Sequence, residues 1–412
     1  MGKNIVILGG GVGGLVAANR LRQSLPQGHK IIIIERESLH TFAPSFLWVM
    51  TGVRKPEEVT REVRQLVRDD IDVVHDEAER IDIANCRVET ASNTLSYDYL
   101  IVAAGAGLAP ELIHGITEET HTFYTLKGSQ KLHKTLENFQ GGEIAIVVSS
   151  LPYKCPGAPH EGAMLIADYF QRKGMGDKVN IHLFTPEPQP MPVAGPELGA
   201  ALRQMLESKR ITFHPQHKLN LINSQTHELS FHDKEPAHYD LLIVIAPHQG
   251  PKIVREAGLS NEAGWIPVDR STLRTKYENI YAVGDAAAIS IPGRWKPDMP
   301  LMLPKAGIFA HEQAEVVAQR ITDEIHGRIP KAEFSGMGYC VLETGGGLAG
   351  FASGNFFAEP SPSVKLHKIG RKWHMGKVLF EQWWLSPFSA RREMLRFVIN
   401  TGGKFLRIPA SV

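Results

Sequence analysis

Residues Asn4 to Gly14, NIVILGGGVGG, impose the strongest constraint on the fold. A short apolar strand runs straight into Gly9-x-Gly11-x-x-Gly14, and the helical spacing of Leu15, Ala18 and Leu21 follows. The strand Ile31 to Ile34 comes next and ends at Glu35. Glycines at such a turn let a pyrophosphate reach backbone N–H groups at a helix start. An acid closing the second strand can accept both hydroxyls of an adenosine ribose. The glycines alone are weak, but the whole order of strand, glycines, helix, strand and acid specifies a dinucleotide-binding α/β unit.

A second unit of the same kind follows. Tyr97 to Gly105, YDYLIVAAG, is a buried strand whose small residues, ending in Gly105, let the chain pass close to a dinucleotide. The pattern returns at Tyr239 to Pro247, YDLLIVIAP, as expected of a duplication with one Rossmann-like unit inserted in the other. The division expected is 1–110 for the first part of the dinucleotide domain, 111–250 for the inserted unit, 251–330 for the return and 331–412 for a C-terminal region.

The inserted unit has lost its nucleotide contacts. Its entry strand, Ile144 to Val148, runs into Ser149-Ser150-Leu151-Pro152 with no glycine, and its strand Val179 to Phe184 ends in Thr185-Pro186 with no acid. Cys155 stands there instead, with Glu161 six residues on and a helix expected from about Gly162 to Arg172. Thiol chemistry, not NAD(P)H binding, is the expectation for this loop.

After the insertion, Glu278 to Asp285 reads as a strand ending in Gly284-Asp285, whose carboxylate is placed to hold a ribityl hydroxyl of a flavin. Pro304-Lys305-Ala306-Gly307 opens a helix with Ala310, Ala314 and Val317 inward, so that Lys305 can offset the charge a reduced flavin gains at its pyrimidine edge. In the stretch Thr41 to Gly52, Pro44-Ser45 can start a helix running along the flavin, or an ordinary capped helix. Cys86, beside Asn85 at a hairpin turn, reads as a packing residue. Cys340 lies in the apolar strand Gly338 to Leu342, before the glycines 345–347.

Three cysteines in 412 residues are no disulfide scaffold, and a net charge of +1 gives no reason to expect a nucleic-acid partner. The charge is uneven, however: from Lys365 onward ten Lys/Arg face only Glu381 and Glu393. The same stretch carries Trp373, Phe380, Trp383 and Trp384, a break at Ser386-Pro387, then Leu395, Val398 and Ile399 among Arg391, Arg392 and Arg396. Aromatics and arginines on two short helices suggest an amphipathic, membrane-binding region over 365–412; helices packed on the protein's own core are the alternative. No apolar run is long enough to span a bilayer, and a strand beginning at Asn4 leaves no room for a secretory signal. Peripheral or monotopic attachment to the cytoplasmic face of the cell membrane is therefore expected.

Together these residues resemble the sulfide:quinone oxidoreductases, a branch of the two-dinucleotide-domain, FAD-dependent disulfide reductases. The resemblance runs over nearly the whole chain, through Gly9, Gly11, Gly14, Glu35, Tyr97 to Gly105, Cys155 with Glu161, Tyr281 to Asp285, Pro304-Lys305, Cys340 and the aromatic tail. It implies sulfide oxidation by Cys155 and Cys340, sulfane sulfur or polysulfide as product, and a membrane quinone as electron acceptor; Glu161, near Cys155, is either a proton carrier for the thiol or a solvated helix glutamate. Phe351, Phe356 and Phe380 are candidates for the quinone slot, since a flat ring binds well between aromatic walls, with core packing as the alternative for each. Many bacterial members carry a third cysteine after the strand matching Tyr97 to Gly105, and some link FAD to it; Ala106 to Leu126 has none, so FAD is expected to be non-covalent. Assembly into a homo-oligomer is compatible with the pattern. A type II NADH:quinone dehydrogenase would need the second glycine fingerprint that is missing here, and a flavin-binding regulatory protein with inert cysteines is the other alternative.

Overall fold

The computed structural model describes residues 2–406 and 408. Ile5-Val6-Ile7-Leu8 is apolar on both faces, as a strand covered by helices on both sides must be. It forms the centre of a parallel sheet as β1 (Asn4–Leu8), followed by helix α1 (Val12–Ser24) and by β2 (Lys30–Ile34), β3 (Asp72–Val74) and β4 (Tyr99–Val102). The chain then leaves to build a second parallel sheet from β5 (Gly142–Val148), β6 (Val179–Phe184), β7 (Ile211–His214) and β8 (Leu241–Ile245), with helix α2 (Ala158–Arg172) after β5. It returns as β9 (Ile280–Ala282), which pairs with β4. The strand orders are β9-β4-β1-β2-β3 and β7-β6-β5-β8. The second sheet thus comes entirely from residues between two segments of the first, as the duplicated strand pattern required.

Helix α3 (Gly307–Ile325) lies against α1 beneath the first sheet. An antiparallel sheet follows, β10 (Met337–Gly345), β11 (Leu348–Asn355) and β12 (Ser363–Gly370), then helices α4 (Arg371–Trp384) and α5 (Ala390–Leu406). Leu342 and Ala352 of the antiparallel sheet belong to the apolar core of the second unit, so β10 leans on α2. That packing brings the strand of Cys340 to the loop of Cys155.

The tail corrects one expectation. Trp373, Trp383 and Trp384 are only 4%, 6% and 3% exposed, so they are core residues and not membrane anchors. Trp373, Lys377, Glu381 and Trp384 recur at helical spacing on one buried face of α4. The reason is the surface beneath: Trp373 stacks on Phe351 at 4.5 Å, the Trp384 indole donates to His40 Nε2 at 2.8 Å, and Arg54 meets Glu381 at 2.9 Å. Apolar side chains do reach solvent on α5, where Met394, Phe397, Val398 and Phe405 are 59%, 70%, 44% and 86% exposed. No helix among the described residues is long and apolar enough to cross a membrane.

Candidate active site

The N-terminal glycines make an open cradle. Gly9 has φ +100°, and a side chain on it would strike the Ala103 carbonyl, whereas one on Gly11 would meet nothing within 4 Å. α1 starts at Gly11 with no side-chain cap and no acid in its first turn, which leaves N–H groups for a phosphate. Glu35 closes β2 with its carboxylate accepting from the Gly10 and Glu37 N–H groups at 2.6 and 2.9 Å. Gly105, at φ +66°, likewise faces open space. Gly284, at φ +69°, donates its N–H to Gln313 at 2.7 Å, and burial raises the Asp285 carboxyl against the opposing charges of Lys154 and Lys305. An ADP-bearing cofactor fits this arrangement.

Cys155 ends the loop after β5 in the left-handed region, φ +53°. A residue with a side chain holds that conformation only when its surroundings impose it. Its N–H donates to the Lys305 carbonyl at 2.6 Å, and its carbonyl accepts from the Ala158 N–H at 2.9 Å and the Tyr124 hydroxyl at 3.4 Å. Helix α2 begins earlier than expected, because Pro159 suits a first turn, and this puts Glu161 in that turn. A Cβ on Gly157 would stand 3.4 Å from Cys340 Sγ and 3.6 Å from Glu161 Oε1, so the loop, the second cysteine and the acid share one pocket. Both thiols are free.

A charged network that sequence reasoning missed supports the pocket. Glu161, 4% exposed, accepts from Lys377 Nζ at 3.1 Å and from the Glu343 N–H at 3.0 Å. Glu343 is buried, and His374 Nδ1 lies 2.9 Å from its Oε2. Burial pushes the Cys155 thiol up to about 12, with the Glu161 charge adding and Lys377 opposing. Burial, then Glu161, also pushes Cys340 upward. Burial thus favours the thiol form of both cysteines, and a thiolate formed here depends on the Lys377 charge and on a group that takes its proton. The signal for Lys377 was present in the spacing of Trp373, Lys377 and Glu381, where charged residues fall in phase with an aromatic stripe.

Residues 3–311 match the family model described as pyridine nucleotide-disulphide oxidoreductase. The chain belongs to this family. Among its relatives, the sulfide-quinone reductase of Aquifex aeolicus (strain VF5) is 28% identical over 410 residues, 93% of this chain and 91% of that protein. The mitochondrial sulfide:quinone oxidoreductase of Mus musculus is 24% identical over 86% of this chain and 79% of that protein. A type II NADH:quinone oxidoreductase of Staphylococcus haemolyticus reaches 22% over 79% of this chain and 83% of its own length. The solved structure of the sulfide:quinone oxidoreductase from Aquifex aeolicus superposes with a TM-score of 0.85 at 24% identity, covering 100% of this chain and 96% of that one, which establishes the shared fold. The resemblance read from the residues is thus borne out.

The remaining residues singled out from the sequence make contacts of their own. Phe351, Phe356 and Phe380 have different ring partners: Phe351 stacks on Trp373 and Tyr339, Phe356 packs on Phe309 at 5.1 Å, and Phe380 lies by Phe42 at 6.0 Å. Each aromatic fills the gap its own neighbours leave. The Lys305 ammonium turns onto the Asp285 and Ala287 carbonyls at 2.6 and 3.3 Å and sits over the Trp265 ring, where burial lowers its pKa to about 8. Pro44 is exposed and a short helix does follow, but the Ser45 hydroxyl donates to Glu381 of α4 at 2.6 Å. Cys86 packs on the first core, accepting from Asn279 at 3.6 Å.

Proposed function

We propose that this oxidoreductase oxidises sulfide at Cys155 and Cys340 and passes the electrons through non-covalent FAD to a membrane quinone. The observation that carries the reading is the pocket shared by the two cysteines and Glu161, in a unit without glycines for a nicotinamide dinucleotide. Hydrosulfide attacks a Cys155–Cys340 disulfide; the S–S bond breaks, leaving a persulfide on one cysteine and a thiolate on the other. Lys377 offsets the thiolate charge, while Glu161 carries protons for the pair. Gly9, Gly11, Gly14, Glu35, Gly105, Gly284 and Asp285 would hold FAD, which supplies the two-electron acceptor when bound. Lys305 anchors the Cys155 loop through its carbonyl.

Quinone reduction by the purified protein should proceed with sulfide and not with NADH. Reduction driven by NADH alone would instead make it a type II dehydrogenase, despite the missing fingerprint. Acid precipitation of the same preparation should leave a colourless pellet and a yellow supernatant.

Attachment to a membrane, by this reading, falls to the outer face of α5, where exposed Arg391 and Lys404 flank Met394, Phe397, Val398 and Phe405. Cutting the tail off would remove core tryptophans, so point substitutions are the sharper test. Phe397→Asp with Phe405→Asp should weaken binding to anionic liposomes at least about tenfold, since each ring forfeits the transfer of its apolar surface. Sulfide should still bleach the flavin of this variant. Undiminished sedimentation with liposomes would rule α5 out as the contact.

A further inference from the structure

An acid does follow β6: Glu187 stands two residues past Thr185. In a dinucleotide site an acid at this strand end takes ribose hydroxyls. Here the side chain is 5% exposed, and its Oε2 accepts the Tyr153 hydroxyl at 2.8 Å and the Thr185 hydroxyl at 3.2 Å. Tyr153, itself 5% exposed, precedes Cys155 by two residues. We propose that Glu187 is a positioning residue for Cys155: through the Tyr153 hydroxyl it holds the loop 151–155 in the left-handed bend that sets Cys155 beside Cys340. The acid of a ribose site has been redirected to a phenol of the chain itself. The inference rests on the reading of Cys155 as the reactive thiol.

Three observations support it. The bend at Cys155, φ +53°, needs an external hold. Other ties of the loop, from the Tyr124 hydroxyl and the Ala158 N–H to the Cys155 carbonyl, from the Cys155 N–H to the Lys305 carbonyl and through the bridge of Lys154 to Lys305, act on the backbone, and the Tyr153 side chain is held by Glu187 at 2.8 Å with the Pro156 carbonyl a longer 3.5 Å away. Burial lifts the Glu187 carboxyl to about 7, with the hydrogen bonds from Tyr153 and Thr185 opposing. The groups facing Glu187 are Tyr153 from the loop, Thr185 from its own strand end and Tyr124 from the segment before the helix Leu126–Asn138. A hydroxyl donates more strongly to a carboxylate than to a carboxylic acid, so the hold tightens as Glu187 ionises.

The test is the rate of Cys155 alkylation by iodoacetamide in the FAD-loaded protein, reduced so that Cys155 and Cys340 are free thiols and then cleared of reductant, read by peptide mass spectrometry across pH with Cys340 as internal reference. In the wild type, the rise expected from thiol ionisation should be interrupted near pH 7, where the loop tightens. Tyr153→Phe and Glu187→Gln should each remove this break and speed alkylation at higher pH about fivefold, the effect of one lost hydrogen bond. The double variant should go no further than either single one. Additive effects, or a wild-type profile in Tyr153→Phe, would overturn the proposal. Tyr153→Phe keeps the ring, so it decides the question even if Glu187→Gln fails to retain flavin. Sulfide is absent from the assay, so this result is separate from that of the sulfide reading.

Discussion

Cys155→Ser and Cys340→Ser are each expected to lower sulfide-dependent flavin reduction by on the order of a thousandfold or more. The reason is chemical: attack by hydrosulfide needs a sulfur–sulfur bond to break, and a serine hydroxyl forms none. Cys340 Sγ and Glu161 line the pocket at the Cys155 loop, and loss of either sulfur removes the disulfide that the proposed reaction attacks, not merely a contact. Cys86→Ser should leave the reaction largely intact, because that sulfur packs on the first core beside Asn279. Anaerobic stopped-flow bleaching of the flavin, normalised to bound FAD, is the measurement. Equal losses in all three variants would show that the pair is misassigned.

Lys377→Met is the second substitution with a large expected effect. Lys377 is 8% exposed and lies 3.1 Å from Glu161 Oε2, with the Glu343 charge close by. Removing the cation leaves Glu161, 4% exposed, with the Glu343 N–H as its donor and no opposite charge, while Glu343, 1% exposed, keeps only His374. Breaking a buried pair by removing one partner costs about 3–5 kcal/mol, since the remaining charge is left uncompensated. The sign with pH follows from Glu343, which burial already raises above its usual 4.5, against Lys377. A carboxyl raised in the folded state binds protons more tightly there than in the unfolded chain, so its cost sets in as pH rises. The deficit of Lys377→Met should accordingly shrink toward acid pH. Urea unfolding at neutral and acid pH checks this, and a loss under about 1 kcal/mol would mean the site is far better solvated than its burial implies.

Much of the framework was legible because its signals are local. The glycines, Glu35 and the repeated strand pattern lie within single supersecondary units, where spacing alone sets geometry. Cys155 was readable for the same reason, through the absence of glycines after β5. The stripe Trp373, Lys377, Glu381 and Trp384 was legible as a face, but spacing does not say what the face meets. That was decided by Glu161, Arg54 and Ser45, contributed by distant segments. Glu187 is hard to assign from sequence because a strand end is known there only to within a few residues, and Glu187 stands three positions past Phe184. The three phenylalanines show that residue type identifies an aromatic wall without locating it.

The ion pair of Glu161 with Lys377 joins residues 216 positions apart. On a ribosome adding roughly 5–20 residues per second, that separation amounts to about 10–40 s. For most of this interval Cys155 has been made while Cys340 and β10 are still missing, and α4 is incomplete until its end. The first sheet has no such wait beyond β9, which emerges well before Lys377. A ribosome stalled after β9 and before Cys340 would therefore carry every strand of the first sheet while its thiol pocket still lacks one cysteine.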